Sequence, residues 1–234
     1  MKNNLFIIPA RKNSTRLYRK NHALIGNMPL LKKRILNIRK ANIGSILVTS
    51  DDEEFLKKAI KYKVDYIRNR PDNLKGDGPS LPIVIDAIKY FERVSKIKTE
   101  YIFFTQITTP FVFAKDFKSV YDFLIKNKNI DRVVSCKKIS FKFDWYLNEN
   151  KNELGAKLLK QEVNKIRKII KNKNLYLPNG GFFAFKRPSI LNKLNLYKKP
   201  LKIWEMSNFS SIDIDYKEDL LLAEAINEKK LFLK

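Results

Sequence analysis

At 234 residues, 44% of them hydrophobic with 16 Phe, the chain is long and apolar enough to bury one sizeable core, which excludes a disordered protein. One cysteine, Cys136, excludes an internal disulfide and a cysteine-built metal site, and one histidine, His22, excludes multi-histidine metal sites. Forty-eight Lys and Arg against 24 Asp and Glu leave a net charge of +24, but the excess is spread from end to end rather than clustered. That distribution argues against nucleic acid as the partner and for steering of anionic substrates. No run approaches the ~18 apolar residues of a membrane helix, and no cleavable leader is visible, so a cytoplasmic protein is expected.

The first element is Leu5-Phe6-Ile7-Ile8, an apolar run typical of a strand buried on both faces, with Pro9 expected to end its ladder. The polar stretch to Asn21 follows, carrying Arg11, Arg16, Arg19 and Lys20 as cations and Asn13, Ser14 and Thr15 as neutral donors. Cations at the carboxyl end of a buried strand stand where open α/β sheets bind ligands, although the spacing is neither a P-loop nor a G-x-G-x-x-G. A basic surface loop is the alternative. Met28–Ala41 has helical spacing with a lysine-arginine outer face, Gly44 marks a turn, and Ser45–Thr49 reads as a second buried strand. Ser50-Asp51-Asp52-Glu53-Glu54 caps a helix to Tyr62, Val64–Ile67 is a short strand, and a loop with Arg70 leads to the helix Leu81–Val94. Tyr101–Gln106 is the most apolar strand and is predicted to be central. The helix Lys115–Lys126 and the strand Arg132–Cys136 follow.

This alternation predicts α/β architecture with a mainly parallel sheet in a single domain spanning 1–234. Residues 137–177 break the rhythm and are expected to form an excursion or dimerisation arm. Pro178-Asn179-Gly180-Gly181 reads as a turn before the strand Phe182–Phe185, and the chain closes with Ser211–Asp215 and a helix from Lys217 to Glu228.

Asp213 and Asp215 are the sharpest local signal. In an extended segment both carboxylates project from one face, and a divalent cation relieves their repulsion. Alternatively Asp215 caps the last helix, with Glu218 in the capping-box position. Gln106, at a strand end facing the same crevice, offers donor and acceptor together, or bonds a neighbouring loop. Arg70 suits a phosphate or carboxylate, or is a solvated surface arginine. Asn179 before two glycines also fits a plain turn. Ser14 is no triad nucleophile, because the only histidine lies in its own loop region.

Together these pieces resemble the acylneuraminate cytidylyltransferases, which activate nonulosonic acids with CTP. The resemblance rests on Ile8-Pro9-Ala10-Arg11 with Ser14 and Lys20-Asn21, on Thr49-Ser50-Asp51-Asp52, and on Arg70-Pro71 with Asp77 and Ser80. It continues through Gln106 with Thr109-Pro110 and Pro178-Asn179-Gly180 to Ser211–Asp215 with Asp219 and Ala223-Glu224. These motifs follow the family's order over almost the whole chain. The resemblance implies a Rossmann-like nucleotidyltransferase fold, a homodimer, and transfer of CMP from CTP to the anomeric hydroxyl of a sialic-acid-like sugar, with release of pyrophosphate. It implies Arg11, Ser14, Arg16, Lys20, Asn21, Arg70 and Ser80 for the nucleotide. Arg11 and Lys20 also join Asp213 and Asp215 in catalysis, those two aspartates hold Mg²⁺, and Gln106 and Asn179 face the sugar. Departures lie at Lys12 and Asn13, where the family often has glycine, and at Val112, Ile169, Ile170 and Leu177, where it has Arg or Gln. Ser14-Thr15-Arg16-Leu17 is also similar to the cytidylyltransferases that activate Kdo, and a basic RNA-binding relative without activity is the non-enzymatic alternative.

Overall fold

The computed structural model describes residues 3–14, 16–76, 78–139, 147–149, 156–158, 174–191 and 196–231. Its centre is a seven-stranded sheet. In chain order the elements are β1 (Asn4–Ala10), β2 (Leu24–Ile25), β3 (Met28–Pro29), α1 (Leu30–Ala41), β4 (Ser45–Ser50), α2 (Glu53–Lys61) and β5 (Tyr66–Asn69). Then come α3 (Ser80–Ser95), β6 (Tyr101–Phe104), α4 (Ala114–Lys126), β7 (Arg132–Ile139), β8 (Leu147–Glu149) and β9 (Ala156–Leu158). The chain closes with β10 (Leu175–Lys186), α5 (Arg187–Leu191), β11 (Leu201–Met206) and α6 (Lys217–Glu228).

The sheet order is β11-β7-β10-β6-β1-β4-β5. Every pairing in it is parallel except those of β10, which runs antiparallel between β6 and β7. The predicted mainly parallel α/β fold is therefore present, and β6 stands in the middle of the sheet as its composition implies. Strand alternation divides the core. Phe6 and Ile8 of β1 pack with α1, α2, α4 and α6 on one face, while Leu5 and Ile7 pack with α3 and α5 on the other. Phe6 stacks on Phe103 at 4.7 Å between centroids and meets Phe117 edge-on at 5.1 Å, so aromatic packing locks β1, β6 and α4 together.

Several boundaries differ from the sequence reading for identifiable reasons. Pro9 does not end β1, which pairs onward with β4 through Ala10. The β6 register stops at Ile7–Phe104, so beyond Ile7 β1 has an unpaired side that tolerates a missing N–H. Met28 and Pro29 belong to a small hairpin with Leu24 and Ile25 instead of the first turn of α1. Strand β5 sits two residues later than expected, and β11 was not foreseen. Pro178–Gly181 is no chain reversal: it lies inside the twelve-residue β10, where the register with β7 jumps from Pro178–Cys136 to Phe183–Val134. Three extra residues are thereby bulged out of the ladder. Of the expected arm at 137–177, most lies outside the described residues. Within them, β7 and β10 remain paired out to Ile139–Leu175, and β8 pairs antiparallel with β9.

Candidate active site

The carboxyl ends of β1, β5 and β6 open into one cleft of about 310 Å³. Arg11, Arg16, Lys20, Asn21, Arg70, Ser80, Gln106, Asp213 and Asp215 all line it. Residues separated by nearly the full length of the chain thus converge at the end of a parallel sheet, where strand termini leave backbone groups unpaired. Ser14 lies on the same opening loop but outside the lining.

The opening loop closes over the cleft through bonds within and beyond itself. Asn21 Nδ2 donates to the Arg11 carbonyl at 2.9 Å, bracing the loop across its width. Lys12 N donates to Asp51 Oδ1 at 2.7 Å, and Gly76 N approaches Asp51 Oδ2 at 3.4 Å, so Asp51 ties the loops after β1 and β5 together. His22, which follows Asn21, meets Asp52 at 2.8 Å through Nε2 and Lys58 at 2.8 Å through Nδ1. Asp52 also caps α2 by accepting from Phe55 N at 3.1 Å. Burial opposes the charge on Asp52, but His22 and the backbone donors outweigh it and hold its carboxyl below the usual range.

Arg70 is buried, at 4% exposure, which decides against a solvated surface role. Its backbone N–H donates to Ser50 O at 3.0 Å and Nη2 donates to Thr49 O at 3.2 Å. Its Nε is buried without a partner, although the side chain lines the cleft. Burial pushes the guanidinium down, with Asp51 opposing and Arg11 adding to the effect.

Opposite stands the acidic pair. Ile214 is fully buried and its N–H donates to Thr108 O at 2.9 Å, which presents Asp213 and Asp215 on either side of it toward the cleft. Asp215 is held by two cations, Lys20 Nζ at 2.8 Å and Arg16 Nη1 at 2.8 Å. It does not cap the last helix. Tyr216 occupies that position, and Asp219, one residue beyond the predicted Glu218, accepts from Tyr216 N at 2.8 Å and Asp215 N at 3.0 Å. Burial pushes the Asp213 carboxyl up; the Thr108 hydrogen bond and Lys20 oppose this, and the Asp215 and Asp219 charges add to it. Asp213 Oδ1 is buried with no hydrogen-bond partner. An unpartnered carboxylate oxygen beside a second carboxylate is a donor set that suits a hard divalent cation.

The bulge in β10 brings Gly180 against this pair. Its φ is +71°, and a Cβ there would stand 2.9 Å from Asp213 Oδ2 and 3.5 Å from Gln106 Oε1, so only glycine fits. Asn179 is buried in a network of its own, receiving from Ser135 Oγ at 2.6 Å and Gly181 N at 3.1 Å and donating to Ser211 Oγ at 2.9 Å. Its amide shapes the bulge and docks the Ser211 segment. It is not among the residues lining the cleft.

Two contributors escaped the sequence reading. Thr108 links Gln106, Asp213 and Ile214, and no residue pattern marks it out. Arg34 was assigned to the outer face of α1 but is buried, 3% exposed, beneath the Gln106–Val112 loop. The spacing held that signal: Arg34 stands four residues from Leu30 and from Ile38 and three from Leu31, on the apolar stripe itself.

Comparison with known proteins agrees with this geometry. Over 96% of both chains, the protein is 27% identical to the CMP-N,N'-diacetyllegionaminic acid synthase of Legionella pneumophila. It is 26% identical to the pseudaminic acid cytidylyltransferase of Campylobacter jejuni over 95% of both. The N-acylneuraminate cytidylyltransferase of Escherichia coli matches at 27% over 96% of this chain and 52% of that longer protein. Among solved structures, a CMP:2-keto-3-deoxy-manno-octonic acid synthetase complexed with CTP superposes with a TM-score of 0.67 at 15% identity, covering 98% of this chain and 100% of its own. A 4-diphosphocytidyl-2C-methyl-D-erythritol synthase from Anaerococcus prevotii gives a TM-score of 0.63, also at 15% identity, covering 97% of this chain and 99% of its own. The cytidylyltransferase family profile matches residues 5–234, and with the cationic loop facing the paired aspartates across one cleft, the chain belongs to the cytidylyltransferase family of CTP-dependent nucleotidyltransferases.

Proposed function

We propose that the protein transfers CMP from CTP to the anomeric hydroxyl of a nonulosonic acid, releasing pyrophosphate. The observation that carries this reading is the convergence of Arg11, Arg16, Lys20 and Arg70 with Asp213 and Asp215 around one cleft, in a chain matched over at least 95% of its length by relatives named for legionaminic, pseudaminic and N-acylneuraminic acids. Attack at the α-phosphorus builds negative charge on the phosphoryl oxygens and on the departing pyrophosphate. Arg11, Arg16 and Lys20 supply fixed positive charge where that develops, which is worth more in a partly dehydrated cleft than in water. Arg70 and Ser80 hold the nucleoside side, and Asn21 keeps the loop in shape by its bond to the Arg11 carbonyl. Gln106, at the opposite wall, offers an amide to the hydroxyls and carboxylate of the acceptor.

Mg²⁺ fits the donor set. Asp213, whose Oδ1 has no hydrogen-bond partner, and Asp215, now paired with Arg16 and Lys20, would hold the ion. Among the described residues no group of three or more His, Cys, Asp and Glu could hold a metal, so these two aspartates are the protein's own candidates for it. When bound, the ion supplies charge neutralisation on the phosphates and acidification of the incoming hydroxyl. For residues 137–177 we infer a dimerisation arm within a single domain. The support is the antiparallel extension of β7 and β10 beyond the bulge, and light scattering of the purified protein tests it. We place the protein in the cytoplasm, the compartment of its CTP. Among the described residues no helix is long and apolar enough to cross a membrane.

Pyrophosphate release with CTP, Mg²⁺ and a panel of sialic, legionaminic, pseudaminic and Kdo acids tests the proposal. Turnover with a nine-carbon acid is expected. Turnover with Kdo alone would reassign the acceptor, and no turnover with any acid would reject the reading.

A further inference from the structure

Arg34 is a buried arginine with no part in the chemistry described so far. Its guanidinium enters from α1 beneath the cleft floor and donates to three backbone carbonyls of one loop. These are Gln106 O at 2.9 Å, Thr109 O at 2.5 Å and Val112 O at 3.1 Å, with Thr109 Oγ1 at 3.0 Å as a fourth acceptor. Among the described residues no carboxylate pairs with it directly. Burial pushes it down to about 9, while the more distant Asp116 opposes that shift, so the group is charged at neutral pH. Both Nη groups are bonded while Nε is buried without a partner, so the guanidinium is costly to place and held by its Nη bonds once placed.

The loop it grips carries the acceptor wall. Gln106 lines the cleft, and its carbonyl is shared by Arg34 and Thr109 Oγ1. Thr108, two residues on, approaches Gln106 Oε1 at 3.4 Å with its hydroxyl and receives Ile214 N at its carbonyl. The planar fork of Arg34 thus reaches Gln106 directly and the Asp213 segment through Thr108. Among the described residues nothing comparable joins Arg34 to the opening loop or to Arg70.

We propose that Arg34 is a positioning residue for the acceptor half of the site, holding the Gln106–Val112 loop so that Gln106 and Asp213 keep their places while the nucleotide half is set independently. This rests on the reading of the cleft as a cytidylyl-transfer site with the sugar acid on the Gln106 side.

The test combines two readouts on the full-length protein. Arg34→Lys keeps the charge and loses the fork; Arg34→Met loses both. Amide exchange across 106–112 is expected to rise about tenfold in Arg34→Met and less in Arg34→Lys, with other core segments unchanged. In Arg34→Lys the acceptor KM is expected to rise about tenfold while the CTP KM stays within about twofold. That rise is expected to disappear in a Gln106→Ala background, because the lysine then has no amide to misplace. Additive effects of the two substitutions, or equal rises in both KM values, would overturn the proposal and leave Arg34 a fold-stabilising residue only. Should Arg34→Met fail to fold, Arg34→Lys alone carries both readouts. If the wild type turns over no sugar acid, the functional reading fails and exchange decides the positioning role. A rise confined to 106–112 upholds it, and unchanged exchange overturns it.

Discussion

The two walls of the cleft are built by different means. The wall proposed for the nucleotide comes from strand ends, β1 into Arg11–Asn21 and β5 into Arg70, with Asp51 after β4 tying their loops together. The wall proposed for the acceptor is assembled from pieces remote in the chain: Gln106 after β6, Gly180 in the bulge of β10, and Asp213 before α6, with Arg34 of α1 underneath. Neighbouring motifs build the first wall, so changes there act locally. The second depends on close approach between segments, where a single added methyl is felt.

Substitutions that separate the walls test this contrast. The largest effect is expected at the point where they meet. Asp215→Asn should lower turnover about 10³-fold with far-UV circular dichroism unchanged, since it removes a charge facing both Lys20 and the Asp213 side. Gly180→Ala should cost about 10²-fold in turnover while CTP binding, followed by tryptophan fluorescence, survives. Its methyl would collide with Asp213 Oδ2 at an unfavourable φ. Loss of CTP binding in that variant would break the separation. Arg70→Lys should act in the opposite sense, raising the CTP KM about tenfold and sparing the acceptor KM.

Away from the cleft, beside the start of β6, Glu92 of α3 and Arg187 of α5 form a two-point ion pair at 2.6 and 2.8 Å. Burial opposes the Glu92 charge, but Arg187 and Thr99 outweigh it and hold the carboxyl at about 2, against an ordinary 4.5. A depressed folded-state pKa contributes stability above the unfolded value, and that contribution is lost as pH falls through the folded one. Glu92→Gln should therefore cost on the order of 1 kcal/mol at neutral pH, because solvent screens part of the pair, and the deficit should shrink below about pH 4.5 and vanish near pH 2, as read by urea unfolding. Neither KM should move. The smallest effect is at Cys136, whose thiol burial pushes up to about 11, and which should resist thiol reagents until the chain unfolds.

Read as a sequence, this chain carried its strand order of appearance, its α/β class, the cations of the opening loop and the Asp-x-Asp pair. Those features are local: a buried strand needs an apolar run, and a helix needs its caps and stripe wherever they lie. The errors came where a local rule met a distant partner. Pro178–Gly181 has turn chemistry, yet β7 pairs with the chain at Pro178 and again at Phe183, which makes it a bulge inside a strand. Arg34 looked like a solvated cation because charge outweighed its place on the apolar stripe, and only three carbonyls presented by a loop more than seventy residues away make its burial tolerable. Asn179 had the form of a cleft residue, but Ser135 and Ser211 occupy its amide. By itself the sequence determined which residues could meet a nucleotide triphosphate. Tertiary structure decided which of them face the cleft and which hold it open, because a buried polar group takes its role from the partners that satisfy it, and those partners come from elsewhere in the chain.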